Sequence, residues 1–406
     1  MKRCFLKTLA CVVVCVLVLG MATAALAAGK NEKFTFQDYE FEFLKDGTAE
    51  ITRYYGDAEH LEIPSTVMWS FSVSSIGAGA FNNCSSLISV TVPEGVKEIG
   101  ATAFAECANL ESIYLPGSLE MMRYGIFLSC TKLKEINIAP ENPVFSNIGG
   151  VIYYMPKKEV WIYPEGLTQK SCRVINGTAG ISEGGFENAI YLEEIILPDS
   201  VEYIAQGAFV NCTSLKSISI PEGVDAVEDY AFLGCIDLER VYFPQTLDYI
   251  GVNAFAGCES LQEIYIPDGV EDINICAFGG CTALRNVRLP EDLTYINEYA
   301  FYCCSSLEEI SLPARLNAIY YNAFAECTSL QRIDLPARLT LIEGEAFRDC
   351  PSLREVTFPA SIEIIDDDAF AGCTQLKNVT LPDKEISLGD GAFPAVTKLQ
   401  VGENDG

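Results

Sequence analysis

A phenylalanine returns every 23 residues along most of this 406-residue chain. It stands at Phe81, Phe104 and Phe127, and after one longer interval at Phe186, Phe209, Phe232, Phe255, Phe278, Phe301, Phe324, Phe347, Phe370 and Phe393. A Leu follows each of these Phe residues by six positions, and a Cys usually follows by three. A fixed period of this length specifies a solenoid, because one repeat alone cannot bury its apolar face and must stack on its neighbours. Function in such a chain belongs to an extended, repetitive surface rather than to a single closed pocket.

One unit shows how the repeat works. In Leu261-x-x-Ile264-x-Ile266-Pro267 the apolar residues Ile264 and Ile266 alternate with polar ones. That is the period of a strand buried on one side. The Ile264 position holds only Ile or Val from Val90 to Val379, and β-branched residues suit a half-buried pleated surface. Pro267 and its equivalents lack an N–H and end the ladder there. A second apolar pair, Val270 and Ile273, leads into the next Ala-Phe step.

The first residues read as a targeting signal. Lys2, Arg3 and Lys7 precede an apolar run from Leu9 to Leu19, and Ala25-Leu26-Ala27 forms a small-x-small cleavage site. Cys11 and Cys15 lack the context of a lipid-attachment cysteine, the apolar run is short for a membrane span, and neither another candidate span nor a C-terminal wall-sorting tail is read from the sequence. The expected location is therefore secreted or cell-surface. The chain carries 27 basic and 56 acidic residues, a formal charge of −29. Loss of residues 1–27 leaves 24 basic residues and a charge of −32. So acidic a surface disfavours nucleic acid and anionic lipid and favours solubility.

Seventeen cysteines in a secreted chain would ordinarily suggest disulfides. Eleven of them, from Cys84 to Cys373, fall instead in one repeat column, where Ala189 and Val396 also stand. The column reads as small buried thiols with a weak donor, although adjacent coils lie close enough to leave pairing open. Cys172, Cys276 and Cys303 lie outside the column. No metal or other cofactor is expected, since His60 is the only histidine and no C-x-x-C occurs. Asp366-Asp367-Asp368 lacks the alternating spacing of a calcium loop and reads as a solvated turn. With no triad, phosphate loop or zinc motif, the chain is not expected to be an enzyme.

The string Ala-Phe-x-x-Cys-x-x-Leu-x-x-Ile-x-Leu-Pro-x-x-Leu/Val-x-x-Ile resembles the treponemal-type, or BspA-like, leucine-rich repeat over nearly everything after residue 34. The resemblance implies an α/β leucine-rich-repeat solenoid: a right-handed coil with a parallel sheet on one face, about 13 repeats of 23 residues and little helix. It implies a secreted or surface protein that adheres to host matrix proteins or neighbouring cells. This chain departs from the pattern at Ile175, where Pro is missing, and at Ala189, where Cys is missing. The expected organisation is a signal peptide over 1–27, an N-terminal β cap over 28–77, repeats over 78–141, an inserted β-hairpin over 142–171 bearing Trp161, and repeats with a C-terminal cap over 172–406.

Residues eight and ten after each Phe face the open side of the sheet. In the central coils they stack Arg240, Tyr242, Glu263, Tyr265, Asn286 and Arg288 into one patch. Tyr and Arg are enriched in binding hot spots, so this patch is the candidate recognition surface for a protein partner. The same residues also suit cross-strand pairs that only stabilise a sheet. A passive structural scaffold without a specific ligand is thus the alternative reading.

Overall fold

A computed structural model describes residues 33–68 and 70–402. The expected signal peptide lies outside these. The chain divides into two compact units, 1–156 with 164–167, and 157–163 with 168–406.

In the second unit the chain winds in parallel coils. Strands such as Arg240–Tyr242, Glu263–Tyr265 and Asn286–Arg288 pair with partners in successive coils. Ser171–Arg173 is the first strand of this six-stranded open-face sheet, and Asn286–Arg288 the last. A second run of two-residue strands, such as Tyr249–Ile250 and Asp272–Ile273, stacks in the same parallel sense. Between the two runs lies the Phe turn. Phe186 to Phe370 are fully buried, and successive rings lie 4.9 to 5.6 Å apart with planes within 4° to 10°. The ladder is thus a line of stacked aromatic pairs, each adding to its area burial.

The helical component of the expected α/β fold is absent among the described residues, and the backbone shows why. Asn253 and Gly257, two before and two after Phe255, take φ of +54° and +71°. Left-handed residues at these spacings prevent a helix from propagating. The N–H groups of Asn253, Phe255 and Gly257 instead donate to Ile275, Ala277 and Gly279 of the next coil at 2.8 to 3.0 Å. Those of Ala256 and Cys258 donate back to Asn253 and Phe255. Alternate residues of the Phe turn therefore bond forward to the next coil and back within their own. The molecule is a parallel β-solenoid with a leucine-rich repeat fold.

The count of 13 repeats is also too low, since the two units hold about 15 turns. Two turns lack the Phe. Tyr163, 23 residues before Phe186, takes the ring position and lies 5.3 Å from Phe186. Its hydroxyl is buried without a hydrogen-bond partner. In the first unit Tyr54 does the same against Phe81, also at 5.3 Å. That unit opens with three antiparallel strands, Lys33–Phe36, Tyr39–Phe43 and Ala49–Tyr54, the last of which pairs in parallel with Phe71–Ile76. Its open-face sheet runs through His60–Glu62, Ser89–Thr91, Ser112–Leu115 and Glu135–Ile138.

Within 142–171, Phe145–Ile148 pairs antiparallel with Val151–Tyr154 around Gly149-Gly150, where φ is +66° and +93°. Glu159–Ile162 belongs to the second unit and pairs in parallel with Gly180–Ile181. Glu159 is buried there and accepts the Tyr203 hydroxyl. Gly180 is required by this arrangement, because a Cβ on it would run into the Tyr203 ring.

Candidate binding surface

The open-face sheet positions the six residues singled out from the sequence. Arg240, on one strand, is in register with Glu263 on the next. Glu263 and Tyr265 are in register with Asn286 and Arg288 on the third. Val241 and Ile264, between them, point inward and are buried, so the strand's period of two leaves the six facing out. Tyr242 and Tyr265 are 57% and 56% exposed. Such exposure for large aromatic side chains on the middle strands of a sheet leaves their apolar area available to a partner.

The patch is internally wired by weak contacts. Arg240 Nε lies 3.8 Å from Glu263 Oε1, and the Tyr265 hydroxyl donates to Glu263 Oε2 at 3.3 Å. Arg288 Nη2 lies 3.2 Å from Asp268 Oδ2. These exposed pairs are of the kind worth about 0–1 kcal/mol, so a partner displaces them at little cost. Tyr242, Tyr265, Asp268 and Arg288 border a shallow depression of about 170 Å³. A second depression, of about 260 Å³, lies on the other side of Tyr242 over Ser217 and Ser219. The sequence reading passed over this one. Its signal was there: in the second unit no other coil has serine at both outward positions.

The remaining candidates are structural. The His60 ring nitrogen Nδ1 is 2.8 Å from Ser89 Oγ on the adjacent coil. Asp366 and Asp367 accept backbone N–H groups of Asp367 and Asp390. Trp161 is half-buried. Among the described residues no His, Cys, Asp or Glu group is arranged to hold a metal.

All the described cysteines are free thiols. The column donates into the solenoid: Cys258 Sγ to the Phe232 carbonyl at 3.3 Å, Cys281 to Phe255, and so on along the stack. Burial pushes several of these thiols up, among them Cys84, to about 11, and Cys212, Cys258 and Cys304; Cys172, outside the column, is likewise pushed up to about 11. Cys276 and Cys303 are only half-buried. Near the Phe turns a second aromatic group gathers Tyr299, Tyr302 and Tyr321. The Tyr302 hydroxyl donates to Glu326 at 2.7 Å, which pushes it up to about 12.

The BspA type leucine-rich repeat region matches in six copies, over residues 56–169, 179–297, 250–377 and 340–401. The chain belongs to the BspA-type leucine-rich repeat family. A leucine-rich repeat protein from Bacteroides ovatus is similar at 30% identity and a TM-score of 0.61, with 91% of this chain and 100% of that chain covered. A leucine-rich cell surface protein from Faecalibacterium prausnitzii is similar at 25% identity and a TM-score of 0.56, with 88% of this chain and 95% of that one covered. No curated protein matches. BspA-type proteins are typically secreted or surface proteins, are not known as enzymes, and have a fold commonly used for protein–protein interaction. Among the described residues no helix is long and apolar enough to cross a membrane.

Proposed function

We propose that this chain is a secreted or cell-surface binding protein that recognises another protein, in adhesion to host matrix or to neighbouring cells, through the open face of the second unit. The carrying observation is the pair of exposed tyrosines, Tyr242 and Tyr265, on adjacent strands and flanked by Arg240 and Arg288. Two exposed aromatics with charges held only by weak pairs form a hot-spot surface already ordered before binding, so little entropy is lost in ordering it. The similar Faecalibacterium protein is described as a cell surface protein, in keeping with this location. The chain's own apolar start supports export.

The test is capture from extracellular-matrix and cell-surface extracts by residues 28–406, beside the variant Arg240→Ala, Tyr242→Ala, Tyr265→Ala and Arg288→Ala. Capture by the first and not by the folded variant supports the reading. Equal capture by both places recognition elsewhere. A passive scaffold is favoured by one observation, the Arg240–Glu263 cross-strand pair, and it predicts no capture by either chain.

A further inference from the structure

The depression beside Tyr242 has a chemistry of its own. Its floor is Ser217 and Ser219, in register with Arg240 and Tyr242 on the next strand. Glu194 stands in register with Ser217 from the other side. Glu194, Ile196, Asp199 and Tyr242 stand around the two serines. Where neighbouring coils raise Glu, Arg or Tyr above the sheet, this coil raises only two hydroxymethyl groups. A gap one side chain deep results.

The charges around the gap are not equivalent. Arg240 leans toward Glu263 on the side away from it. Lys170 and Lys216 are both held by Glu193. The side-chain carboxylates of Glu194 and Asp199 have no hydrogen-bond or ion-pair partner among the described residues. Two uncommitted carboxylates, an exposed tyrosine and an apolar wall at Ile196 thus meet over one small depression. A long side chain with an apolar stem and a cationic head fits all three features.

We infer that the depression over Ser217 and Ser219 receives a lysine or arginine side chain presented by the protein partner, its stem against Ile196 and Tyr242 and its charge between Glu194 and Asp199. This deepens the binding reading, because it names what the partner offers to one end of the open face. It rests on that reading for the existence of a partner, but the pocket is testable without one.

The probes are Nα-acetyl-lysine amide and Nα-acetyl-norleucine amide, a neutral analogue lacking the ammonium group, followed by saturation-transfer NMR on the mature chain. The lysine probe should saturate and bind about tenfold more tightly than the norleucine probe, as expected for one cation–π contact plus exposed carboxylates. Ser219→Trp, which fills an exposed position, and Glu194→Gln with Asp199→Asn should each abolish that preference. Glu308→Gln with Glu309→Gln, an equal loss of exposed charge farther along, should leave it intact, as should Tyr265→Ala with Arg288→Ala. Equal binding of the two probes, no saturable binding, or an equal loss in the Glu308 and Glu309 variant would overturn the inference. If capture from extracts persists while lysine binding is absent, only this inference fails and the open-face reading stands.

Discussion

Removing one ring from the middle of the phenylalanine ladder should cost far more than removing the last. Phe255 is fully buried between Phe232 at 5.1 Å and Phe278 at 5.4 Å, with Phe243 edge-on at 5.6 Å. Phe→Ala in a core costs about 3–5 kcal/mol, and aromatic pairs are worth about 0.5–1.5 kcal/mol each beyond area. With three such neighbours and a backbone pinned by ladder bonds on both sides, Phe255→Ala should lie at the upper end, about 4–5 kcal/mol. Phe393 is only half-buried and has a stacked neighbour on one side, Phe370 at 5.2 Å. Its loss should cost about 1–2 kcal/mol by the same reckoning. Urea unfolding followed by far-ultraviolet circular dichroism measures both. With an m-value of about 3 kcal/mol/M, Phe255→Ala should move the midpoint down by more than about 1 M. In a chain whose coils couple mainly to their nearest neighbours, a lower, broader transition is also expected. Equal midpoint shifts for the two variants would refute the claim that the continuous ring stack holds the coils together.

Three other outcomes follow. Tyr203→Phe removes the hydroxyl that Glu159 accepts at a buried position, and should cost about 1–3 kcal/mol in the same unfolding assay. Native Cys84 and Cys172, each pushed up to about 11 by burial, should resist iodoacetamide at pH 8 and label about tenfold faster for each unit that the pH is raised from 8 toward 11, as mass spectrometry of peptides would show. Tyr302 is raised to about 12 by its bond to Glu326, above the ordinary tyrosine value of about 10. Its contribution to stability is therefore present below about pH 10 and lost between about 10 and 12. A tyrosinate absorbance titration of the native chain against Tyr302→Phe should show one group missing near pH 12.

Much of this architecture is legible in the sequence because its strongest signal is a period, and a period is insensitive to local uncertainty. The Phe, Leu and Ile/Val columns fall inward, and on each open-face strand the residues on either side of Val241 or Ile264 fall outward, by the alternation of a strand. The helix was a different matter. Its absence depends on positive φ at positions occupied variously by Asn253, Gly257, Tyr299 and Glu326, and only the glycine and asparagine among these announce such a conformation. The two extra turns hid because Tyr54 and Tyr163 stand in for phenylalanine beside irregular spacing. The depression over Ser217 and Ser219 left a trace in the paired serines, but only their register with Glu194 on one side and Arg240 and Tyr242 on the other shows a gap there.

The most direct test of open-face recognition is tyrosine nitration of the mature chain, mapped by mass spectrometry, with and without the matrix and cell-surface extract. Tyr242, Tyr265 and Tyr55 are all more than half exposed in the free chain, at 57%, 56% and 57%. The account predicts that the extract protects Tyr242 and Tyr265 and leaves Tyr55 as reactive as before. Protection of Tyr55 alone, or of no tyrosine on the open face while partner is bound, would contradict it.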